Sequence, residues 1–189
     1  LLNAGSVTLT SATIKWTVNG TPQADYAWTG SLSSGTEVNN INIGTYNFPS
    51  GVIQNIKIWV YEPNGTTDLN NLNDTVNASI TASLCGTYTI GGTTPDFISF
   101  TEVANVLNNA GITCPVVFNV RDGVYDEQIY LGNIPGNSMV NTITFQGESG
   151  DSSLATLTYT ANNTILDYTL NMESVKAATF KDMTFERTS

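Results

Sequence analysis

Only one stretch of this chain repeats its apolar residues with the period of an α-helix, and this feature constrains the fold most. The repeat ends at Gly111, a typical helix stop, and consists of Phe97, Phe100, Val103, Ala104 and Leu107. Elsewhere apolar and polar residues alternate in short runs separated by turn residues, as in β-strands. The sequence therefore predicts an all-β protein with one short α-helix. We expect Thr94 or Asp96 to cap that helix.

Residues 1–83 have the pattern of a small β-sandwich. In the clearest strand Ile14, Trp16 and Val18 fall on one face, and Asn19-Gly20 supplies a hairpin turn. Further strands are predicted at 25–28, 37–43, 53–61 and 76–82. Such short strands at roughly ten-residue spacing are typical of two packed sheets. On the strand at 53–61, Lys57, Trp59 and Tyr61 share the face opposite the apolar one.

Residues 84–189 change in character and form the second predicted domain. After the helix, short strands recur with neither helices nor clear hairpin turns between them, at 115–120, 128–131, 141–146, 155–159, 164–170 and 176–185. This pattern favours stacked coils over an antiparallel meander.

Four segments of this second part carry a family resemblance: GTYTIGG at 86–92, DFISFTEV at 96–103, VFNVRDGVYDEQI at 117–129 and ITFQGE at 143–148. Together they resemble the N-terminal end of a right-handed parallel β-helix of the pectin-lyase-like superfamily, which includes pectin methylesterases. The resemblance implies that the helix near 97–109 caps the open end of the solenoid. The segment 178–185 resembles a standard coil, with Phe180 and Phe185 pointing inward. In this family the acidic segment with Asp122, Asp126 and Glu127 is structural, so no catalytic residue is assigned.

The first part is similar to immunoglobulin-like modules, through the segments 14–20 and 28–32. Such modules accompany these solenoids in giant secreted surface proteins of Bacteroidota, often exported by the type IX pathway. The resemblance implies an immunoglobulin-like β-sandwich at 1–83 and the cap and first coils of a parallel β-helix at 84–189. It also implies an extracellular or cell-surface location. We expect the polypeptide to continue beyond Ser189, because the sequence stops shortly after a predicted coil and shows no second cap.

Charge and composition exclude several classes of protein. Six Lys and Arg stand against 16 Asp and Glu, and the net charge of -10 excludes a typical nucleic-acid binder. No apolar run reaches the 18 or more residues of a membrane span. The absence of His, with only two Cys, excludes the usual zinc sites and imidazole-based triads. The 28 Thr and 22 Asn suit strands and turns.

Two sets of residues are candidates, one for a disulfide and the other for a calcium site. Cys85 and Cys114 flank the predicted cap, and in an extracellular protein we expect a disulfide between them; two buried free thiols are the alternative. The stretch 64–74 is dense in oxygen donors, and a calcium ion could be bound by Asp68, Asn70, Asn73 and Asp74. The alternative is an Asx-rich loop held by side-chain-to-backbone bonds. No other cofactor is predicted.

Aromatic residues of the first domain are candidates for binding sugars. Exposed rings stack on sugar rings, which makes Trp28 and Trp59 candidate ligand residues, whereas Trp16 lies on the predicted core face. Asp74-Thr75-Val76 matches a short O-glycosylation sequence of Bacteroidota, with Thr75 as the acceptor, and the alternative is a plain strand residue.

The sequence predicts a structural or adhesive segment of a large secreted or cell-surface protein, without catalysis in these residues. Surface glycans or neighbouring protein modules are the expected partners. The alternative is the N-terminal part of a polysaccharide-active β-helix enzyme, a lyase, esterase or glycosidase, whose active site lies beyond residue 189. Fold alone does not decide between them, because this solenoid hosts both classes.

Overall fold

The structure, a computed structural model, describes residues 1–68, 70, 73–160 and 168–188. These residues are mostly β-structure, with fourteen strands and one α-helix. The chain divides into two compact units, Leu1–Ile80 and Thr81–Ser189, called unit 1 and unit 2 below. The boundary predicted from the sequence lies three residues later, after residue 83.

Unit 1 is built on one sheet. Its strands are β1 (Leu9–Val18), β2 (Thr21–Pro22), β3 (Tyr26–Leu32), β4 (Ile53–Tyr61) and β5 (Thr75–Thr81), and a 3-10 turn spans Pro63–Gly65. The strand order is β2-β1-β4-β5, and β3 pairs with β1 beside β2. β1 is antiparallel to β2, β3 and β4. Asn19 and Gly20 both have positive φ and join β1 to β2, which confirms the predicted hairpin turn.

The inner face of this sheet forms the core of unit 1. Ile14, Trp16 and Val18 are buried on β1, as their alternation predicts. The Trp16 indole N–H donates to the carbonyl of Ala24 at 3.0 Å, so the one polar atom of this buried ring is satisfied.

The segment predicted as a strand at 37–43 is irregular instead, and this prediction was wrong. The described residues of unit 1 form one sheet and no second sheet, so the predicted sandwich of two sheets is not found there. An irregular segment covers the inner face instead, packed through Val38, Ile41, Ile43, Tyr46 and Phe48. Asn40 has a φ of 59°, which turns the chain out of the extended conformation. Gly44 lies against Trp16, where a Cβ atom would be 3.1 Å from the indole ring. The alternating apolar residues therefore pack on the sheet without joining a strand ladder.

Unit 2 consists of parallel strands stacked in successive coils. Its elements are β6 (Leu84–Ile90), α1 (Phe100–Ala110), β7 (Ile112–Val120), β8 (Gly123–Asp126), β9 (Ile129–Leu131), β10 (Ile143–Gly147), β11 (Ala155–Thr160), β12 (Leu170–Met172), β13 (Ala178–Lys181) and β14 (Thr184–Thr188). They form three sheets, with strand orders β13-β10-β7-β6, β14-β11-β8 and β12-β9. Every strand pair between these elements is parallel.

Two strand predictions in this unit need correction. The segment predicted as one strand at 176–185 forms β13 and β14, because Asp182 between them has a φ of 54° and turns the chain. Residues 123–126, where no strand was predicted, form β8, which pairs with β11. Of the strand predicted at 164–170, residues 164–167 lie outside the described residues, and β12 begins at its last position, Leu170.

A column of aromatic rings fills the core of unit 2. Phe118, Phe145 and Phe180 occupy equivalent positions on β7, β10 and β13. The ring centroids are 4.8 Å apart between Phe118 and Phe145, and 4.9 Å apart between Phe145 and Phe180. Phe100 of α1 stacks on Phe145 at 5.8 Å. Because the parallel strands are in register, the inward-facing side chains at equivalent positions of successive coils lie one above the other and form a continuous stack.

The helix α1 begins later than predicted, and its cap is Ser99. The Ser99 hydroxyl accepts from the Glu102 N–H at 3.1 Å. The Glu102 carboxylate accepts from the Ile98 N–H at 2.9 Å, one residue before the cap, so the pair is a variant of the capping box. Phe97 bridges to Ile90, so the chain is still extended there. Asp96 instead accepts from the N–H and hydroxyl of Thr89. The predicted stop at Gly111 is confirmed by the end of the helix at Ala110.

Glu127 holds the first turn of α1 from the neighbouring coil. Its two carboxylate oxygens accept from the Phe100 N–H at 3.1 Å, and from the Thr101 N–H at 2.7 Å and hydroxyl at 2.6 Å. A carboxylate at a helix N-terminus satisfies otherwise unpaired N–H groups and interacts favourably with the helix dipole. Glu127, directly after β8, therefore has a structural role at the first turn of α1.

We expect Glu127→Gln to lower the free energy of unfolding of unit 2 by about 1.5–3 kcal/mol, the range for hydrogen bonds to a charged group. The amide keeps one acceptor oxygen but turns an NH₂ group toward backbone donors. Urea unfolding followed by far-UV circular dichroism measures the effect. Asp126→Asn removes the same charge from the adjacent exposed side chain and is the control. Equal stability of the two variants would contradict this role of Glu127.

Candidate functional site

Trp28, one of the two predicted ligand residues, is part of the core, and this prediction was wrong. Its side chain is 8% exposed and lies in the cluster with Leu9, Ala12 and Ile14. The cause is register, because Trp28 pairs with Ala12, whose side chain faces inward. The ring also packs over Gly30, where a Cβ atom would be 2.6 Å away.

Trp59, the second predicted ligand residue, lies on the outer face of the same sheet. Lys57, Trp59 and Tyr61 alternate with the buried side of β4, and Trp59 is paired with Lys15 of β1. The Lys57 ammonium lies 5.3 Å from the Trp59 ring, and the Lys15 ammonium lies 4.8 Å from the Tyr61 ring. Lys15 also forms an ion pair with Asp25 at 3.3 Å. These two cation–π contacts hold the aromatic rings in place on the face.

An acidic pocket of about 260 Å³ opens beside these rings. It is lined by Trp59, Val60, Tyr61, Glu62, Thr67, Asp68, Asp74 and Thr75. Sequence reasoning named four of these residues under three separate hypotheses, for ligand, calcium and glycosylation; they are Trp59, Asp68, Asp74 and Thr75. The turn between β4 and β5 folds the acids back beside the aromatic rings, and so brings the four together.

A second concavity of about 430 Å³ lies on the same outer face. Its lining comes from β1, β4, β5 and the hairpin turn, and consists of Thr17, Gly20, Asn55, Ile56, Lys57, Asn77, Ala78 and Ser79. Lys57 supplies its only charge, while the Ser79 hydroxyl donates to the Asn55 amide oxygen at 2.8 Å. Sequence reasoning missed these polar residues. The available signal was that Asn55 and Lys57 share the outward face of β4 with Trp59.

The predicted calcium ligands are held by bonds of an Asx-rich loop. The Asp68 carboxylate accepts from the Asn70 N–H at 2.8 Å. The Asn73 amide, oriented to donate, reaches the Asn70 carbonyl at 2.7 Å and the Asp74 carboxylate at 3.3 Å. Burial raises the pKa of Asp74, and the nearby negative charge of Asp68 raises it further. The described part of the chain has no group of three or more His, Cys, Asp or Glu side chains that could hold a metal ion. The calcium site, and the modification of Thr75, therefore stay predictions.

The predicted disulfide is present between Cys85 and Cys114, with a Cα–Cα distance of 4.9 Å. It crosses an irregularity in the β6–β7 ladder, where the register shifts between Leu84 and Gly86. Pro115 lies in the bulged strand, where its missing N–H costs no ladder bond. Cys85 is exposed, so the bond lies at the surface of unit 2. A disulfide of this kind indicates an oxidising environment.

The outer face of unit 1 therefore combines aromatic rings with two polar concavities of different charge. A ring face can stack on the apolar side of a sugar, while carboxylates, amides and hydroxyls bond its hydroxyl groups. No family model, curated protein or solved structure matches this chain. Among the described residues, no helix has the length and apolar character needed to cross a membrane.

Proposed function

We propose that this chain is a structural and adhesive segment of a secreted or cell-surface protein, without catalysis of its own. In this proposal unit 2 is the capped start of a right-handed parallel β-helix that acts as a stiff rod. Unit 1 is a single-sheet β-module, similar in sequence to immunoglobulin-like modules, whose outer face contacts surface glycans. The observation that carries the adhesive part is the partly exposed Trp59, which lines one polar concavity on a face that holds a second.

The parallel stack supports the proposal of a rod. Val116 pairs with Ile143, and Ile143 pairs in turn with Ala178, so each coil adds one strand to the same sheet. An assembly in which each coil contacts only its neighbours grows in one dimension. α1 and the disulfide close one end, and the disulfide suits a protein outside the reducing cytosol.

The chemistry of the outer face supports glycan contact. Trp59 presents a large ring that Lys57 fixes in place, so little side-chain entropy remains to be lost on binding. Asp68 and Asp74 supply acceptors on one side of the ring, and Asn77 and Ser79 supply amide and hydroxyl groups on the other. An oligosaccharide laid along β4 would therefore meet polar groups at both ends of a stacked central sugar.

Trp59→Ala is expected to weaken binding to a recognised oligosaccharide about tenfold or more, because loss of one stacking contact costs on the order of 1–2 kcal/mol. Calorimetric titration with cellohexaose, chitohexaose and hexagalacturonate measures the affinity. Tyr130→Ala, which removes an exposed ring from unit 2, is the matched control and leaves the affinity unchanged. If no probe binds the intact chain, or if both variants bind equally well, glycan contact through this face is wrong.

A further inference from the structure

β5 forms one edge of the sheet in unit 1, and its sequence does nothing to protect that edge. The strand, TVNASIT, contains no charged residue and no Pro. Sheet edges are commonly protected by Lys, Pro or bulges, because their unpaired N–H and C=O groups accept another strand. The other side of β1 has such protection, with Pro22 in β2 and a register shift between Leu9 and Ser11 opposite β3. Among the described residues β5 is the unprotected edge.

Two contacts give the direction of β5 relative to β4. The Val60 N–H donates to the carbonyl of Asp74 at 3.2 Å. Further along, the Ser79 hydroxyl donates to the side-chain oxygen of Asn55 at 2.8 Å. Residue numbers rise on one strand as they fall on the other, so the two strands are antiparallel.

The same contacts decide which backbone groups of β5 are unpaired. Backbone groups alternate between the two sides of a strand. Because the carbonyl of Asp74 faces β4, the groups of Val76, Ala78 and Ile80 face β4 as well. The N–H and C=O groups of Asn77 and Ser79 therefore point to the open edge.

The side chains of β5 also alternate, and the apolar ones are exposed. Val76 is 63% exposed and Ile80 is 42% exposed. Since the Ser79 side chain bonds Asn55 on the outer face, Val76, Ala78 and Ile80 lie on the inner, core-facing side of the sheet. The irregular segment that covers most of that side leaves these side chains exposed.

The sequence of β5 is nearly symmetric about Ala78. Val76 and Ile80, both β-branched and apolar, are equidistant from it, as are Asn77 and Ser79, both small and polar. A strand with this symmetry is complementary to an antiparallel copy of itself.

We propose that two copies of this chain pair antiparallel through β5, around a two-fold axis at Ala78. Asn77 then faces Ser79 of the second copy, and these are the residues whose backbone groups point outward, so each pair exchanges both hydrogen bonds. Val76 faces Ile80 of the second copy, and Ala78 faces its own counterpart. These are the non-hydrogen-bonded pairs, in which side chains pack most closely. The apolar pairs thus fall where contact is closest.

Charge does not oppose this pairing, although each copy carries a net charge of -10. β5 itself is neutral, and the two-fold axis keeps the Asp74 residues of the two copies at opposite ends of the paired strands. One strand pair buries less than the roughly 1,200 Å² of a stable interface, so the association is weak and concentration-dependent. It goes beyond the proposed function, because it uses the unpaired backbone groups and the inner-side apolar residues of β5, whereas the glycan proposal uses the outward side chains of Asn77 and Ser79.

Sedimentation equilibrium over a range of protein concentrations tests the pairing. We expect the intact chain to approach about twice its mass of 20.2 kDa as concentration rises. Ala78→Lys and Ala78→Glu each place like charges directly opposite each other and are expected to remain monomeric. An equimolar mixture of the two restores a dimer, because position 78 then pairs Lys with Glu. Val7→Lys, at an exposed apolar residue outside the sheet strands, leaves the association unchanged.

Three results would overturn the proposal. The first is an intact chain that stays at 20.2 kDa at every concentration. The second is a dimer that persists in Ala78→Lys, or a mixture of the charged variants that stays monomeric while both keep the native far-UV circular dichroism. The third is growth into larger polymers, because a two-fold pairing closes at the dimer.

Discussion

Phe145→Ala is expected to lower the free energy of unfolding of unit 2 by about 3–5 kcal/mol, the range for removal of a buried aromatic side chain. Phe145 is 2% exposed and is the centre of the aromatic column. It stacks on Phe118 and Phe180 in the neighbouring coils and on Phe100 of α1. The truncation opens a cavity at the point where the cap meets the stack. The truncation removes a ring contact from Phe118 of β7, from Phe180 of β13 and from Phe100 of α1.

Unfolding in urea separates this effect from unit 1. The three Trp residues of the chain all lie in unit 1, so Trp fluorescence reports on that unit, while far-UV circular dichroism reports on both. Phe145→Ala should move the dichroism transition of unit 2 and leave the fluorescence transition in place. Phe185→Ala is the matched control, because this ring is 40% exposed and contacts the column only at its end, 5.3 Å from Phe180. Equal losses in both variants would contradict a role for the column as the core of unit 2.

Local patterns predicted a strand or the helix well where that element has one buried face and one exposed face. The alternation of Ile14, Trp16 and Val18 gave the inner face of β1, and the spacing from Phe100 to Leu107 gave the buried side of α1. The segment at 37–43 has the apolar residues Val38, Ile41 and Ile43, with a break in the period at Asn39 and Asn40, and forms no strand. Alternation reports which side chains are buried, and a chain lying over a sheet buries them as a strand does. Here the break in the period falls at Asn40, the residue that takes the left-handed conformation.

The start of α1 shows a second limit of local patterns. Thr94, Asp96 and Ser99 are all good N-cap residues, and of the three only Ser99 has a Glu three residues later, the spacing of a capping box. The choice is made by tertiary pairing, because Phe97 bridges to Ile90 and keeps the chain extended until Ser99. Glu127 then holds the first turn from a position 26 residues beyond Thr101. The apolar periodicity of the helix sequence gives no sign of that contact.

The candidate site was predictable in its residue types but not in its assembly. Trp59, Asp68 and Asp74 were named separately, and the turn between β4 and β5 places them around one pocket. Trp28 was assigned to the wrong face, because its orientation depends on its register with Ala12 across the β1–β3 pair. The second concavity is lined by residues of three strands, so no single segment of the sequence predicts it. Long-range pairing therefore determines the site, while composition only supplies its chemistry.

Removal of the disulfide is expected to destabilise unit 2 by about 3–4 kcal/mol. Cys85 and Cys114 are 29 positions apart and enclose the whole of α1. Without the bond, the unfolded chain gains conformational entropy, because the loop between the two cysteines is no longer closed. The irregular β6–β7 ladder also loses its covalent link beside the cap. The effect should therefore fall on the end of the stack that α1 closes. Because Cys85 is exposed, a small thiol reductant can reach the bond in the folded protein.

Urea unfolding with and without dithiothreitol measures this contribution, again with dichroism for the chain and Trp fluorescence for unit 1. The reductant should lower the midpoint of the unit 2 transition and leave the fluorescence midpoint unchanged. The double variant Cys85→Ala and Cys114→Ala should be as unstable as the reduced protein and insensitive to reductant. Glu127→Gln, which weakens the same cap without touching a sulfur atom, should remain sensitive. A reduced protein as stable as the oxidised one would show that the packing of Phe100 and Leu107, rather than the covalent bond, holds the cap on the stack.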